Sequence, residues 1–160
     1  MGVSGSGKTT VARELAQHLG WTFAEADEFH PPENVAKMAA GVPLVDEDRW
    51  PWLADLRDWL DARAAAGEDV VITCSALKRS YRDVLRGAGA RVRFVHLTAS
   101  PAVLAERMGL RSGHYMPASL LDSQLAALQP LEPDEDGVVV DVDAPVAQVV
   151  RAAVGALDLA

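Results

Sequence analysis

Gly2-Val3-Ser4-Gly5-Ser6-Gly7-Lys8-Thr9 is the stretch that decides how this chain is read. It matches G-x-x-x-x-G-K-[ST], the pattern of a phosphate-binding loop. Glycines at these places let successive backbone N–H groups curl around phosphate oxygens. Lys8 reaches the outer phosphates and Thr9 offers its hydroxyl to Mg²⁺. Thr10 follows in a helix whose apolar side carries Val11, Leu15 and Leu19, and the positive end of that helix adds to the anion site. Gly2 to Thr10 therefore reads as a nucleoside-triphosphate site, with Lys8 acting on the phosphates. A flexible glycine turn with an unengaged lysine is the alternative, and the helix that the loop opens argues against it.

Such a loop normally follows a buried β-strand, yet only Met1 precedes Gly2. Loss of that interior strand would leave two neighbouring strands without partners. The expectation is that the natural chain begins several residues upstream with a short apolar strand. The alternative is a late start and an incomplete sheet.

Working outward, apolar β-branched runs alternate with helical patterns, which points to βαβ units and an α/β fold with a parallel sheet flanked by helices. Thr22 to Ala26 is a short strand candidate, and Val70 to Cys74 is a strong one, unbroken in hydrophobicity as a strand covered on both faces should be. Val92 to Leu97 and Val138 to Val142 are the next two. Leu53, Leu56 and Leu60 share a face of a helix expected to open at Pro51. Leu121, Leu125 and Leu128 line another behind Pro117, and Val146, Val149, Val150, Val154 and Leu157 a last one behind Pro145. Pro130 to Gly137 reads as an exposed loop, so residues 1–160 form one domain.

With 160 residues, 49% of them hydrophobic, the chain can bury a full core. Its formal net charge is −8, which disfavours nucleic acid or an anionic membrane as partner. One cysteine, Cys74, excludes an intrachain disulfide and a cysteine-based zinc site, and a reducing cytoplasm fits. No apolar stretch approaches the roughly 18 residues that would span a membrane. Oligomeric state is not legible, and a homodimer stays open.

Phosphate cradling alone does not separate kinases from switches or motors, which usually hold Mg²⁺ with an acid at the end of a second hydrophobic strand. Here that strand runs into Ser75-Ala76-Leu77-Lys78-Arg79 with no carboxylate, leaving Thr9, water and Asp27 as metal partners. Asp27 stands just past strand 22–26, where a parallel sheet presents its carboxyl ends to ligands. It could orient an acceptor hydroxyl and take its proton, or it could be a solvated loop acid or helix cap. His30 could contact a ligand or simply bond its own loop. Arg107 and Arg111 lie at i and i+4 and share one helix face. Cys74 reads as a buried strand residue.

Three segments carry a resemblance. Asp27-Glu28-Phe29-His30-Pro31-Pro32-Glu33-Asn34, then Lys37-Met38, then Gly41 to Leu53 form the first. Cys74-Ser75-Ala76-Leu77-Lys78-Arg79-Ser80-Tyr81-Arg82-Asp83-Val84-Leu85-Arg86 is the second. Arg111 to Pro117, followed by Leu120 to Leu125 and Pro130, is the third. In order and spacing these resemble the gluconokinases, small P-loop enzymes of nucleoside-monophosphate-kinase type that phosphorylate D-gluconate at its 6-hydroxyl. Ala26 departs from the glycine often found there, and Phe29 stands at a variable position; neither change removes a chemical group.

The resemblance implies ATP and Mg²⁺ as cofactors, gluconate as the small-molecule partner, and a lid over about 107–118 whose Arg107 and Arg111 touch the transferring phosphoryl group, with Gly109 and Gly113 letting it bend. It implies Asp27 as the group that aims and deprotonates the hydroxyl. A polyhydroxy acid needs cations for its carboxylate and polar groups for its hydroxyls: Arg49, Lys78 and Arg82, with His30 beside them. Arg82 stands four residues from Lys78, which aligns the two if both sit on the same opening helix turn. Adenine contacts near Asp143 to Pro145 follow from fold analogy alone. Two other readings stay open: another small-molecule kinase, such as one acting on shikimate, and a nucleotide-binding module without turnover.

Overall fold

The computed structural model of the chain describes residues 1–109 and 118–159. Helices and short strands alternate through the described residues: α1 (Lys8–Leu19), β1 (Thr22–Glu25), α2 (Pro32–Ala39), α3 (Asp46–Ala65), β2 (Val70–Thr73), α4 (Arg79–Arg86), β3 (Phe94–Thr98), α5 (Pro101–Gly109), α6 (Ala118–Ala127), β4 (Gly137–Asp141) and α7 (Val146–Leu157). A 3₁₀ turn, Ala26–Phe29, leaves the end of β1. All four strands run where the apolar β-branched stretches are, with ends shifted by one or two residues.

Two parallel ladders form: β1 on β2, with Glu25 opposite Thr73, and β3 on β4, with Thr98 opposite Asp141. Parallel strands need a long crossover, and helices supply it. Between the ladders stands the backbone of Met1 and Gly2. The Met1 amine donates to the Val95 carbonyl at 2.6 Å, and the Leu97 N–H donates to the Met1 carbonyl at 3.0 Å. That alternation about His96 is the bond pattern of a parallel pair. On the other side the Gly2 N–H donates to the Ser75 carbonyl at 3.1 Å. The phosphate loop thus emerges from a lane between β2 and β3. A Cβ at Gly2 would meet the Leu97 carbonyl oxygen at 2.7 Å, at φ +139°, so only glycine suits this position.

Two apolar clusters pack on the strands, although Val139 of β4 is 60% exposed. In one, Trp52, Leu53, Leu56 and Leu60 of α3 pack with Tyr81 and Leu85 of α4 against Cys74 and Phe94. In the other, Val11 and Leu15 of α1 and Val149, Val150 and Ala153 of α7 pack on Leu97 and Val140. Leu53 and Leu56 are fully buried, and removing such a side chain from water is worth about 1.5–3 kcal/mol. A third cluster, Val3, Leu77, Leu104 and Leu121, ties the phosphate loop to α5, α6 and the loop after β2.

One helix boundary differs from expectation. α3 begins at Asp46, and Pro51 lies inside it. The Asp48 carboxylate accepts the Val45 N–H at 3.1 Å, and Asp46, Glu47 and Asp48 all sit in the first turn, where negative charge suits the positive end of the helix. These gains outweigh the single backbone bond that a proline so near the start removes.

Candidate active site

The phosphate loop is held open by its own backbone. Gly5 and Gly7 take φ of +82° and +80°, the left-handed region that glycine enters without penalty. The Val3 carbonyl accepts from the Ser6 N–H (3.3 Å), the Ser6 hydroxyl (2.8 Å) and the Lys8 ammonium (3.0 Å). Ser6 is fully buried by this arrangement. Gly7 caps α1, whose first amides have no carbonyl partner inside the helix and so face the loop's concavity with the positive dipole end. Of the residues read as nucleotide-binding, Gly2 has its N–H committed to Ser75, the Val3 side chain is buried and the Ser4 N–H donates to Gln124 Oε1 at 2.7 Å. Gly2 and Val3 form the root of the loop together with the buried Ser6, while Ser4 and Gly7 to Thr10 are its more accessible part.

Thr9 Oγ1 lies 3.3 Å from Glu25 Oε2, and Thr73 Oγ1 lies 3.5 Å from the same oxygen. Arg13 approaches the other Glu25 oxygen at 3.6 Å. Two hydroxyls and a carboxylate make an all-oxygen donor set, the chemistry that suits Mg²⁺. The sequence reading named Thr9 and missed Glu25. Its position at the carboxyl end of β1, two residues before Asp27, was the available signal.

Asp27 sits in the 3₁₀ turn with its side chain 86% exposed and its Oδ1 3.9 Å from His30 Nε2. His30 is the opposite case, 4% exposed and stacked on Trp52 with ring centroids 4.2 Å apart. Burial pushes its pKa below 6.5, against the pull of Asp27, so the ring is neutral at pH 7. Asn34 Nδ2 stands 3.3 Å from His30 Nδ1; as the amide nitrogen can only donate, the imidazole proton lies on Nε2, facing Asp27. Trp52 is itself pinned by donating to the Ala26 carbonyl at 2.8 Å. The turn carrying Asp27 is therefore braced from α3.

Arg49 and Lys78 come together as the sequence suggested, through a residue it did not single out. The Arg49 guanidinium lies 5.6 Å and the Lys78 ammonium 5.5 Å from the centre of the Tyr81 ring. Lys78 donates to both oxygens of Asp46, at 2.9 and 3.0 Å, and the Tyr81 hydroxyl also donates to Asp46. The Tyr81 hydrogen bond, then that of Lys78, holds the Asp46 carboxyl below the usual range, and Asp46 in turn pushes the Lys78 ammonium up. Lys78 therefore stays charged at every ordinary pH.

Arg82 does not join them. Expected beside Lys78 on one helix turn, it faces the other way, because Lys78 is the extended cap residue and Arg82 lies inside α4. Its side chain is 0% exposed, as is that of Glu135, with Nε 2.6 Å from Glu135 Oε1 and Nη2 2.9 Å from Oε2. The carbonyls of Ala76, Leu77, Gln129 and Pro130 take its remaining hydrogens at 3.0–3.3 Å. A guanidinium has five N–H bonds, and these acceptors occupy them. Arg82 is a structural clamp, not a substrate ligand.

Arg107 Nη2 donates to the Val142 carbonyl at 2.7 Å. With Val103, Glu106, Asp143, Ala144 and Pro145 it lines an open hollow of about 600 Å³. Arg111, Gly113, His114 and Tyr115, and with them most of the expected lid, lie outside the described residues. Cys74 is buried, and desolvation pushes its thiol up to about 11, which leaves it inert.

A family model described as AAA domain matches residues 1–131. The gluconokinase of Gluconobacter oxydans (strain 621H) is 56% identical over 142 residues, covering 89% of this chain and 79% of that protein. A crystal structure of a sugar kinase from Janibacter sp. HTCC2649 superposes with a TM-score of 0.93 at 58% identity, over 100% of this chain and 92% of the other. A gluconokinase structure from Sinorhizobium meliloti 1021 gives a TM-score of 0.88 at 50% identity, over 99% and 89%. At 56% identity to a gluconokinase over 89% of this chain and 79% of that protein, the chain belongs to the gluconokinase family.

Proposed function

We propose that this chain transfers the γ-phosphoryl group of ATP to the 6-hydroxyl of D-gluconate. Three local arrangements support the reading: Lys8 bonded within a phosphate loop anchored at Ser75 just past β2, Asp27 beside His30 just past β1, and Arg49 with Lys78 gathered on Tyr81. Amides of the phosphate loop and Lys8 hold the β- and γ-phosphates. Arg49 and Lys78 receive the carboxylate of the sugar acid, and the exposed Asp27 carboxylate accepts the hydroxyl proton as the oxygen attacks. His30 Nε2–H, 3.9 Å from Asp27, offers a donor to a neighbouring hydroxyl. Phosphoryl transfer has a loose transition state, so alignment and fixed charge supply most of the acceleration.

Thr9 and Glu25 are the residues that would hold Mg²⁺, which when bound neutralises charge on the phosphate oxygens. The hollow beside Asp143 to Pro145 is read as the adenine side of the nucleotide site; Arg107, expected at the moving phosphoryl group, instead bonds the Val142 carbonyl at that hollow, and Arg111 is read as the lid cation. The partners are small molecules; no nucleic acid is expected at a net charge of −8, and a homodimer remains compatible. No helix among the described residues is long and apolar enough to cross a membrane.

The test is a coupled assay of ADP release with ATP, Mg²⁺ and a panel of sugar acids. Gluconate should give the highest kcat/KM. A preference for shikimate would move the chain to another acceptor class, and ATP binding without any acceptor-dependent ADP release would make it a binding module.

A further inference from the structure

The helix that carries Leu120 to Leu125, together with the segment after it, reaches both halves of the site. From α6, Gln124 Oε1 accepts the Ser4 N–H at 2.7 Å, a contact between residues 120 positions apart. Five residues on, Gln129 makes the matching contact with the acceptor loop. Its side-chain oxygen accepts the Arg79 N–H at 2.5 Å, and its own N–H donates to the Leu77 carbonyl at 2.8 Å. Leu77 and Arg79 flank Lys78, the proposed carboxylate ligand. Apolar packing follows the same route, since Leu121 touches a cluster containing Val3 of the phosphate loop and Leu77 of the acceptor loop. The Arg82 guanidinium locks the far end by bonding the Leu77 and Gln129 carbonyls together.

From this we propose that α6 and its extension are a two-point brace, in which Gln124 and Gln129 are positioning residues: Gln124 sets the peptide of Ser4 and hence the phosphate loop, and Gln129 sets the backbone on either side of Lys78. Neither touches a reacting atom. The physical argument is that the phosphate loop is glycine-rich and left-handed at Gly5 and Gly7, so its intrinsic stiffness is low. Its root is fixed by Val3 and Gly2, and its outer wall by Gln124. Similarly, the acceptor loop contains Ala76 at φ +45°, a strained conformation for a residue with a Cβ, which needs outside contacts to persist. A helix and the segment leaving it, anchored one to each loop, keep donor and acceptor in register, where a displacement of about 1 Å costs roughly a hundredfold in rate.

The two anchors make separable predictions. Gln124→Met keeps the side-chain length and removes the acceptor; it should weaken Mg-ATP binding, read by calorimetry without acceptor, roughly tenfold, the scale of one lost hydrogen bond, while the KM for gluconate stays within about twofold. Gln129→Met should do the reverse, raising the gluconate KM roughly tenfold with ATP affinity within about twofold. Gln124→Ala serves as a second truncation, and melting temperatures establish that each variant is folded. Equal effects of either variant on both ligands, no effect on either, or loss of folding in both Gln124 variants would overturn the brace, since a merely structural role moves both constants or neither. The Gln129 arm rests on the gluconate reading above. The ATP arm does not: if wild-type protein releases no ADP with gluconate, that reading fails while the Gln124 measurement still decides its own half.

Discussion

At the scale of the residue, Asp27 and Lys78 carry the sharpest consequences. Asp27 is exposed and faced by the His30 Nε2–H, so replacing its carboxylate disturbs little packing. Asp27→Asn should lower kcat by about 10²–10⁴-fold, the usual worth of a positioned base, with ATP affinity unchanged in a direct binding titration. A mild loss would remove Asp27 from the chemistry. Lys78→Met keeps the stem over Tyr81 and deletes the charge. It should raise the KM for gluconate by well over the change in KM for ATP, and equal shifts in steady-state kinetics would argue against contact with the carboxylate. The types of these residues and their spacing were legible in the sequence. Tyr81, which gathers Arg49 and Lys78, and Glu25, which meets Thr9, were not, because each acts through a neighbour distant in sequence.

At the scale of the element, α4 shows why periodicity alone misassigned a side chain. Lys78 and Arg82 are four apart, the spacing that stacks side chains on one helix face. The helix begins only at Arg79, so Lys78 is extended and the relation fails. Arg82 then enters the interior, a placement that charged residues reach only when paired, and here Glu135 and four carbonyls pair it. Removing one member of such a pair leaves an uncompensated buried charge. Arg82→Met should therefore destabilise the protein by about 3–5 kcal/mol in chemical denaturation. The double variant Arg82→Met with Glu135→Leu should recover much of that loss, which a substrate-binding role for Arg82 would not anticipate.

At the scale of the whole molecule, the buried His96 links the fold to pH. It stands on β3 beside the Met1 backbone, 5% exposed, with no partner for its Nδ1 among the described residues. Burial first, then the Met1 amine and Arg82, push its pKa from 6.5 to about 4. A base whose folded pKa is depressed contributes stability above its unfolded value and loses it as pH falls through the folded one. Stability should therefore decline between about pH 6.5 and pH 4, by up to roughly 3 kcal/mol from this group. His96→Phe should flatten that part of the profile in denaturation measured across the window, and an unchanged slope would assign the decline to other groups.

Read alone, the sequence determined the α/β class, the phosphate loop and the family, because glycine spacing, apolar periodicity and short signatures are local properties of the chain. Only the tertiary structure decided which cation faces the acceptor and which is buried, which carboxylate meets Thr9, and that one helix and the segment leaving it join the two halves of the site. Those outcomes depend on desolvation and on hydrogen-bond partners up to 120 positions away, and no local pattern encodes them.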